Sequence, residues 1–176
     1  MGGDEEAAPT EGATAAAATT TTATTAPTTT EPAVEPLSDD ERKWVTQIHE
    51  IRPRIDKAFH RSLNITRASM RSLIRVLENC TVTLKEAGSA SDRFSPAAQA
   101  ARRACARYNA SIHHFQRAID VSDVSGAVVA GTPQQRIFDR SLDRAFAAQS
   151  NASNVMLRAE EKADEIRDEI EAEASP

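Results

Sequence analysis

Apolar residues recur every three or four positions through four separate stretches of this chain, and that spacing commits it to helices. Residues three and four apart share one face of an α-helix. The first stretch places Trp44, Ile48, Ile51, Ile55, Ala58 and Phe59 on such a face. The second carries Met70, Leu73, Leu77, Cys80, Leu84 and Ala87, and the third Ala98, Ala101, Cys105, Tyr108, Ile112, Phe115 and Ile119. The fourth runs from Phe138 through Leu142, Ala145, Gln149, Ala152, Met156, Ala159, Ala163 and Ile166 to Ile170.

Punctuation between the stretches supports the same reading. Ser38-Asp39-Asp40-Glu41 and Thr132-Pro133-Gln134-Gln135 are capping boxes, in which the first side chain and the fourth satisfy each other's backbone N–H. Ser95-Pro96 reads as an N-cap followed by Pro at the first helical position. Gly88 stops the second helix, and the segment from Asp120 to Gly131 reads as a longer loop. Pro53 falls inside the first pattern and is expected to kink it. Ser62-Leu63-Asn64 is a weak break, so the reading favours two helices turning near 62–65 over one kinked helix from 39 to 87.

The expected fold is all-α: an antiparallel up-down four-helix bundle over residues 37–174, with a long C-terminal helix and a disordered N-terminal tail. The last turns of the fourth helix thin to acids and isolated isoleucines, so they are expected to project from the bundle, coiled-coil-like, or to meet a protein partner. Residues 1–36 form an Ala/Thr/Pro-rich tether whose apolar surface is too small to offset ordering entropy. A chain beginning at Leu37 is therefore expected to keep the melting temperature of the full chain, and a loss of many degrees would show that the tail docks.

Charge is segregated. Residues 1–41 hold nine acids and no base, and residues 160–176 hold eight acids against Lys162 and Arg167. The intervening segment carries 19 basic and nine acidic groups, and 16 of the bases are arginine. Arg136, Arg140 and Arg144 share one face of the fourth helix, and Arg103, Arg107 and His114 one face of the third. If exposed, these arginines form a candidate anion-binding stripe, because guanidinium pairs bidentately with carboxylate and phosphate. The acidic C-terminal segment is expected to screen it.

The midpoint between Cys80 and Cys105 falls within a residue of the centre of the 88–95 loop. In an antiparallel hairpin, residues equidistant from the turn lie opposite each other, so a disulfide is expected, with buried free thiols as the alternative. Such a bond persists in an oxidising compartment.

The opening Met1-Gly2-Gly3-Asp4-Glu5-Glu6, followed by the Ala/Thr/Pro stretch, resembles the mature start of exported lipoproteins of high-GC Gram-positive bacteria. Those proteins begin Cys-Gly-Gly-Asp, with lipid on the cysteine where this chain has Met1. The run from Leu77 to Ile119, with Cys80, Gly88, Arg93-Phe94-Ser95-Pro96 and Arg103-Ala104-Cys105, resembles uncharacterised exported helical proteins of the same group. The resemblance implies an extracytoplasmic protein, membrane-tethered through a processed N-terminus not present in this chain. It carries no activity or cofactor.

A search for chemistry returns little. Di-iron bundles need Glu-x-x-His on two helices, and the residues three before the four histidines are Thr46, Lys57, Ala110 and Ser111. There is no nucleophile elbow and no Gly-rich phosphate loop. Asn64, Asn79, Asn109 and Asn151 stand in Asn-x-Ser/Thr triplets within helical pattern and are read as coincidence. Gln149, on an apolar seam, is read as a buried amide that fixes helix register. No cofactor, metal or enzyme activity is expected. The function expected is that of a non-enzymatic envelope protein contacting an anionic polymer, a lipid surface or a protein partner. A nucleic-acid-binding module using the basic 42–159 segment is the alternative.

Overall fold

The computed structural model describes residues 35–61, 65–123 and 125–174. The expectations for the tail before Glu35 and for the turn at 62–64, Asn64 included, lie outside the described residues. Those residues form α1 (Asp39–Arg61), α2 (Arg67–Glu86), α3 (Ser95–Val121) and α4 (Pro133–Glu173), with a short 3-10 turn at Asp92–Phe94. They contain no strand.

Each helix buries the face that its spacing marks, and the four pack as a helical bundle around one continuous core. The most extensive interface lies between α3 and α4. Small residues make it close: Ala97, Ala101, Ala104 and Ala118 on α3, and Ala145, Ala152, Ala159 and Ala163 on α4, have no exposed surface. Aromatic rings fill the wider gaps. Phe146 meets Phe59 and Phe115 edge-on, each at 5.6 Å between centroids, and Trp44 meets Phe94 at 5.6 Å.

The helix ends follow local chemistry, with three differences from the sequence reading. Ser38 caps α1 as expected: its Oγ accepts from Glu41 N at 3.3 Å, and Ser38 N donates to Glu41 Oε2 at 2.9 Å. Thr66 caps α2 through a box with Ser69, which separates α1 from α2; this signal is easily missed because Ser replaces the usual Glu or Gln. Ser95 is not an N-cap. The 3-10 turn feeds straight into α3 and makes Ser95 its first helical residue, because burying the Phe94 ring fixes the chain's entry. At α4, Thr132 Oγ1 accepts from Gln135 N, but Gln135 Oε1 reaches one residue further back, to Gly131 N at 2.6 Å. Helix α1 runs through Pro53, which lies on its exposed side.

Gly126 anchors the α3–α4 connection. Its φ is +90°, and a Cβ there would stand 2.8 Å from Thr66 Cα. Arg67 donates from Nη2 to Ile119 O at 2.9 Å, tying the start of α2 to the end of α3.

The last turns of α4 do not project. Ile166 and Ile170 are buried in the common core, and Glu160 is only 3% exposed. The alternating acids look solvated in sequence, but every third or fourth position still carries Ala or Ile, enough to keep that face against the bundle. Acids on the side facing α1 bind it: the buried Glu160 accepts from Arg52 Nη2 at 2.8 Å, and the half-buried Asp164 lies 3.1 Å from His49 Nε2. The hydrogen bond to Glu160, opposed by burial, holds the Arg52 guanidinium above its ordinary pKa.

One hydrogen bond reaches back beyond Leu37. Arg93 Nη1 donates to the carbonyl of Glu35 at 2.8 Å. A chain beginning at Glu35 should match the full chain in a thermal melt, while one beginning at Leu37 should melt a few degrees lower. Equal melting of both shortened chains would show that the Glu35 contact adds nothing.

Candidate functional site

The sequence places five arginines on one stripe, and the structure divides them. Arg140 and Arg144 on α4 meet His114 and Arg117 on α3 around a small cleft of about 120 Å³, with Ile137 and the buried Ser141 completing its lining. Arg117, Arg140 and Arg144 are exposed and His114 is half-buried. None of the four makes an ion pair or side-chain hydrogen bond with another described residue. Asp139 and Asp143 each precede one of the α4 arginines, but they point about 100° around the helix and do not line the cleft.

Arg103, Arg107 and Arg136 stand outside the cleft. Arg107 is exposed on α3 and donates to Asn151 Oδ1 on α4 at 2.5 Å. Arg103 is exposed nearer the start of α3, and Arg136 lies in the first turn of α4. The sequence reading missed Arg117. Its signal is the spacing of three from His114, which continues the same face past the end of the arginine series.

The acidic end of α4 does not screen this cleft. From Arg144 to Glu160 the helix rises about 24 Å, roughly three Debye lengths at physiological ionic strength. Its acids are also engaged by His49, Arg52, Lys162 and Arg167. Removing residues 160–176 would strip Ile166 and Ile170 from the core before it changed any field at the cleft.

Cys80 and Cys105 form a disulfide, with Cα atoms 5.5 Å apart, tying α2 to α3. Both cysteines are buried. No described helix is long and apolar enough to cross a membrane. Among the described residues no group of three or more His, Cys, Asp or Glu side chains gathers to hold a metal ion.

Three buried polar atoms lack partners among the described residues, Gln47 Oε1, Tyr108 Oη and Gln149 Oε1. Burial pushes the Tyr108 phenol up to about 12. The Gln149 amide is therefore buried as expected, yet its oxygen clasps nothing on the facing helices.

What the fold and the cleft define is a class: an all-helical, disulfide-bonded bundle with an uncompensated cationic cleft between its two longest helices. No family model matches the chain, and no curated protein or solved structure matches it either.

Proposed function

We propose that this chain is a non-enzymatic extracytoplasmic bundle that binds an anionic component of the cell envelope through the α3–α4 cleft. The observation that carries this reading is the convergence of His114, Arg117, Arg140 and Arg144 without an internal anion. Holding like charges together costs Coulomb energy that an anionic ligand would relieve. The cleft has room for one headgroup, such as a phosphate or carboxylate, gripped by arginine donors from both helices. The disulfide favours an oxidising compartment, and the lipoprotein-like opening favours tethering there.

We further propose that the four helices run alternately up and down. Supporting this are paired positions whose numbers fall on one helix as they rise on the next: Arg67 with Ile119, Cys80 with Cys105, Phe115 with Phe146, and Arg107 with Asn151.

Sedimentation with vesicles containing phosphatidylglycerol, and with a polyglycerol-phosphate polymer, tests the cleft. Binding is expected at low ionic strength and should fall steeply with salt. The double variant Arg140→Glu, Arg144→Glu should bind at least about tenfold more weakly, since each surface cation contributes about 1 kcal/mol. No binding by the unaltered chain at low salt removes the reading. Preference for duplex DNA over both envelope probes would move it to nucleic acid.

A further inference from the structure

We propose that the groove between α1 and α2 is a second binding site, taking the chain of a fatty carboxylate. The groove encloses about 520 Å³, within the range of roughly 300–1,000 Å³ typical of small-molecule sites. It shares no residue with the α3–α4 cleft.

Its floor is apolar. Ile51 and Ile55 of α1 and Cys80 of α2 form the bottom, and Val76 covers one side. Val82 stands on the rim 49% exposed. A lone exposed valine is ordinary, but here it continues an apolar strip that starts in the core. The disulfide behind Cys80 fixes this wall against α3, so the floor is preorganised for a ligand.

The rim selects the head of that ligand. Arg54, Lys57 and Arg61 follow one another along the α1 edge at helical spacing. Arg54 is taken by Glu50. Lys57 and Arg61 make no ion pair with any described residue, and Glu86 is the one acid lining the groove. Two free cations against one acid leave a single positive charge, which matches a monoanion on an apolar chain. A carboxylate between Lys57 and Arg61 receives donors from both, while the chain lies over Ile55 and Ile51 toward Val82. From Ile51 to Arg61 the α1 wall runs about 15 Å, so an acyl chain of medium length is covered end to end.

Calorimetric titration of the full, oxidised chain with dodecanoate below its micellar concentration tests the site. Saturable binding of one molecule per chain is expected. Dodecanol should bind at least about tenfold more weakly, since it lacks the charge that Lys57 and Arg61 meet. The double variant Lys57→Glu, Arg61→Glu should lose a similar factor, as should Val82→Asp, which puts a like charge on the rim. All three positions are exposed, so thermal melts should show these variants folded. Arg140→Glu, Arg144→Glu should bind dodecanoate unchanged, which separates this site from the envelope-binding cleft. The proposal is overturned by absence of saturable binding, by equal affinity for the alcohol, or by undiminished binding in the groove variants. Tighter binding of dodecyl phosphate would overturn the choice of a carboxylate.

Discussion

Replacing Cys80 and Cys105 together by alanine is expected to lower the stability of the bundle by about 3.5 kcal/mol, the chain-entropy value for a loop of this length. The bond joins positions 25 residues apart and closes the α2–α3 pair through the core. Without it the unfolded chain regains the conformations that the loop excluded, while the folded chain loses little packing because alanine fills most of each site. For a domain of this size the melting temperature should fall by about 10 °C. Reduction of the unaltered chain should reproduce the shift. Urea unfolding with and without reductant measures both, and coincident midpoints would show that the bond does not stabilise the fold. Titration of the denatured, unreduced protein should find no free thiol, and two per chain would remove the disulfide itself.

Glu41→Gln should cost nearly as much. Glu41 is 6% exposed, yet it is a carboxylate at the start of α1. Burial alone would raise its pKa. The hydrogen bond from Ser91 Oγ at 2.7 Å, those from Ser38 N and Oγ, and the charge of Arg93 at 2.9 Å outweigh burial. Together they bring the carboxyl from the ordinary 4.5 to about 2. A folded-state pKa below the unfolded one means that the stabilisation is complete above about 4.5 and is lost as pH falls toward about 2. The shift corresponds to about 3 kcal/mol at neutral pH. Glu41→Gln should therefore unfold at markedly lower urea than the unaltered chain at pH 7, and the gap should close as the pH approaches 2. Arg93→Ala should cost less, because Arg93 is part-exposed and the serine hydrogen bonds survive its loss. A gap independent of pH would show that Glu41 acts by shape and not by charge.

The two stabilising features differ in how far they could be read beforehand. The disulfide was legible because a hairpin places positions equidistant from its turn side by side, and the turn is marked by Gly88, whose φ is +85°. The Ser38–Glu41 box was legible as well, since its partners are three residues apart. The second role of Glu41 was not, because Ser91 and Arg93 lie 50 and 52 residues away. Spacing from Ser38 sets Glu41 apart from Asp39 and Asp40, which remain exposed, but it gives no sign of the contacts with Ser91 and Arg93.

The candidate cleft was half legible. Arg140 and Arg144 were marked by their spacing of four, and His114 by its place on the third helix. Which other cation joined them depended on the rotation of α3 against α4, and the structure selects Arg117 over Arg103 and Arg107. The C-terminal acids misled for a related reason. Their composition describes the outward face of α4, while Ala163, Ile166 and Ile170, on the inward face, decide that the helix stays packed.

The sequence by itself therefore determined four helices, their inward faces, the caps at Ser38 and Thr132 and the cysteine pair. These follow from hydrogen bonds and periodicities that act over three or four residues, or from reflection about a short turn. Only the tertiary structure decided the Glu41–Arg93 and Arg52–Glu160 pairs, the composition of the cationic cleft and the open groove beside Lys57 and Arg61. Those depend on the relative rotation and height of packed helices. That geometry is set by how all the side chains of the core interlock, and no spacing along a single helix encodes it.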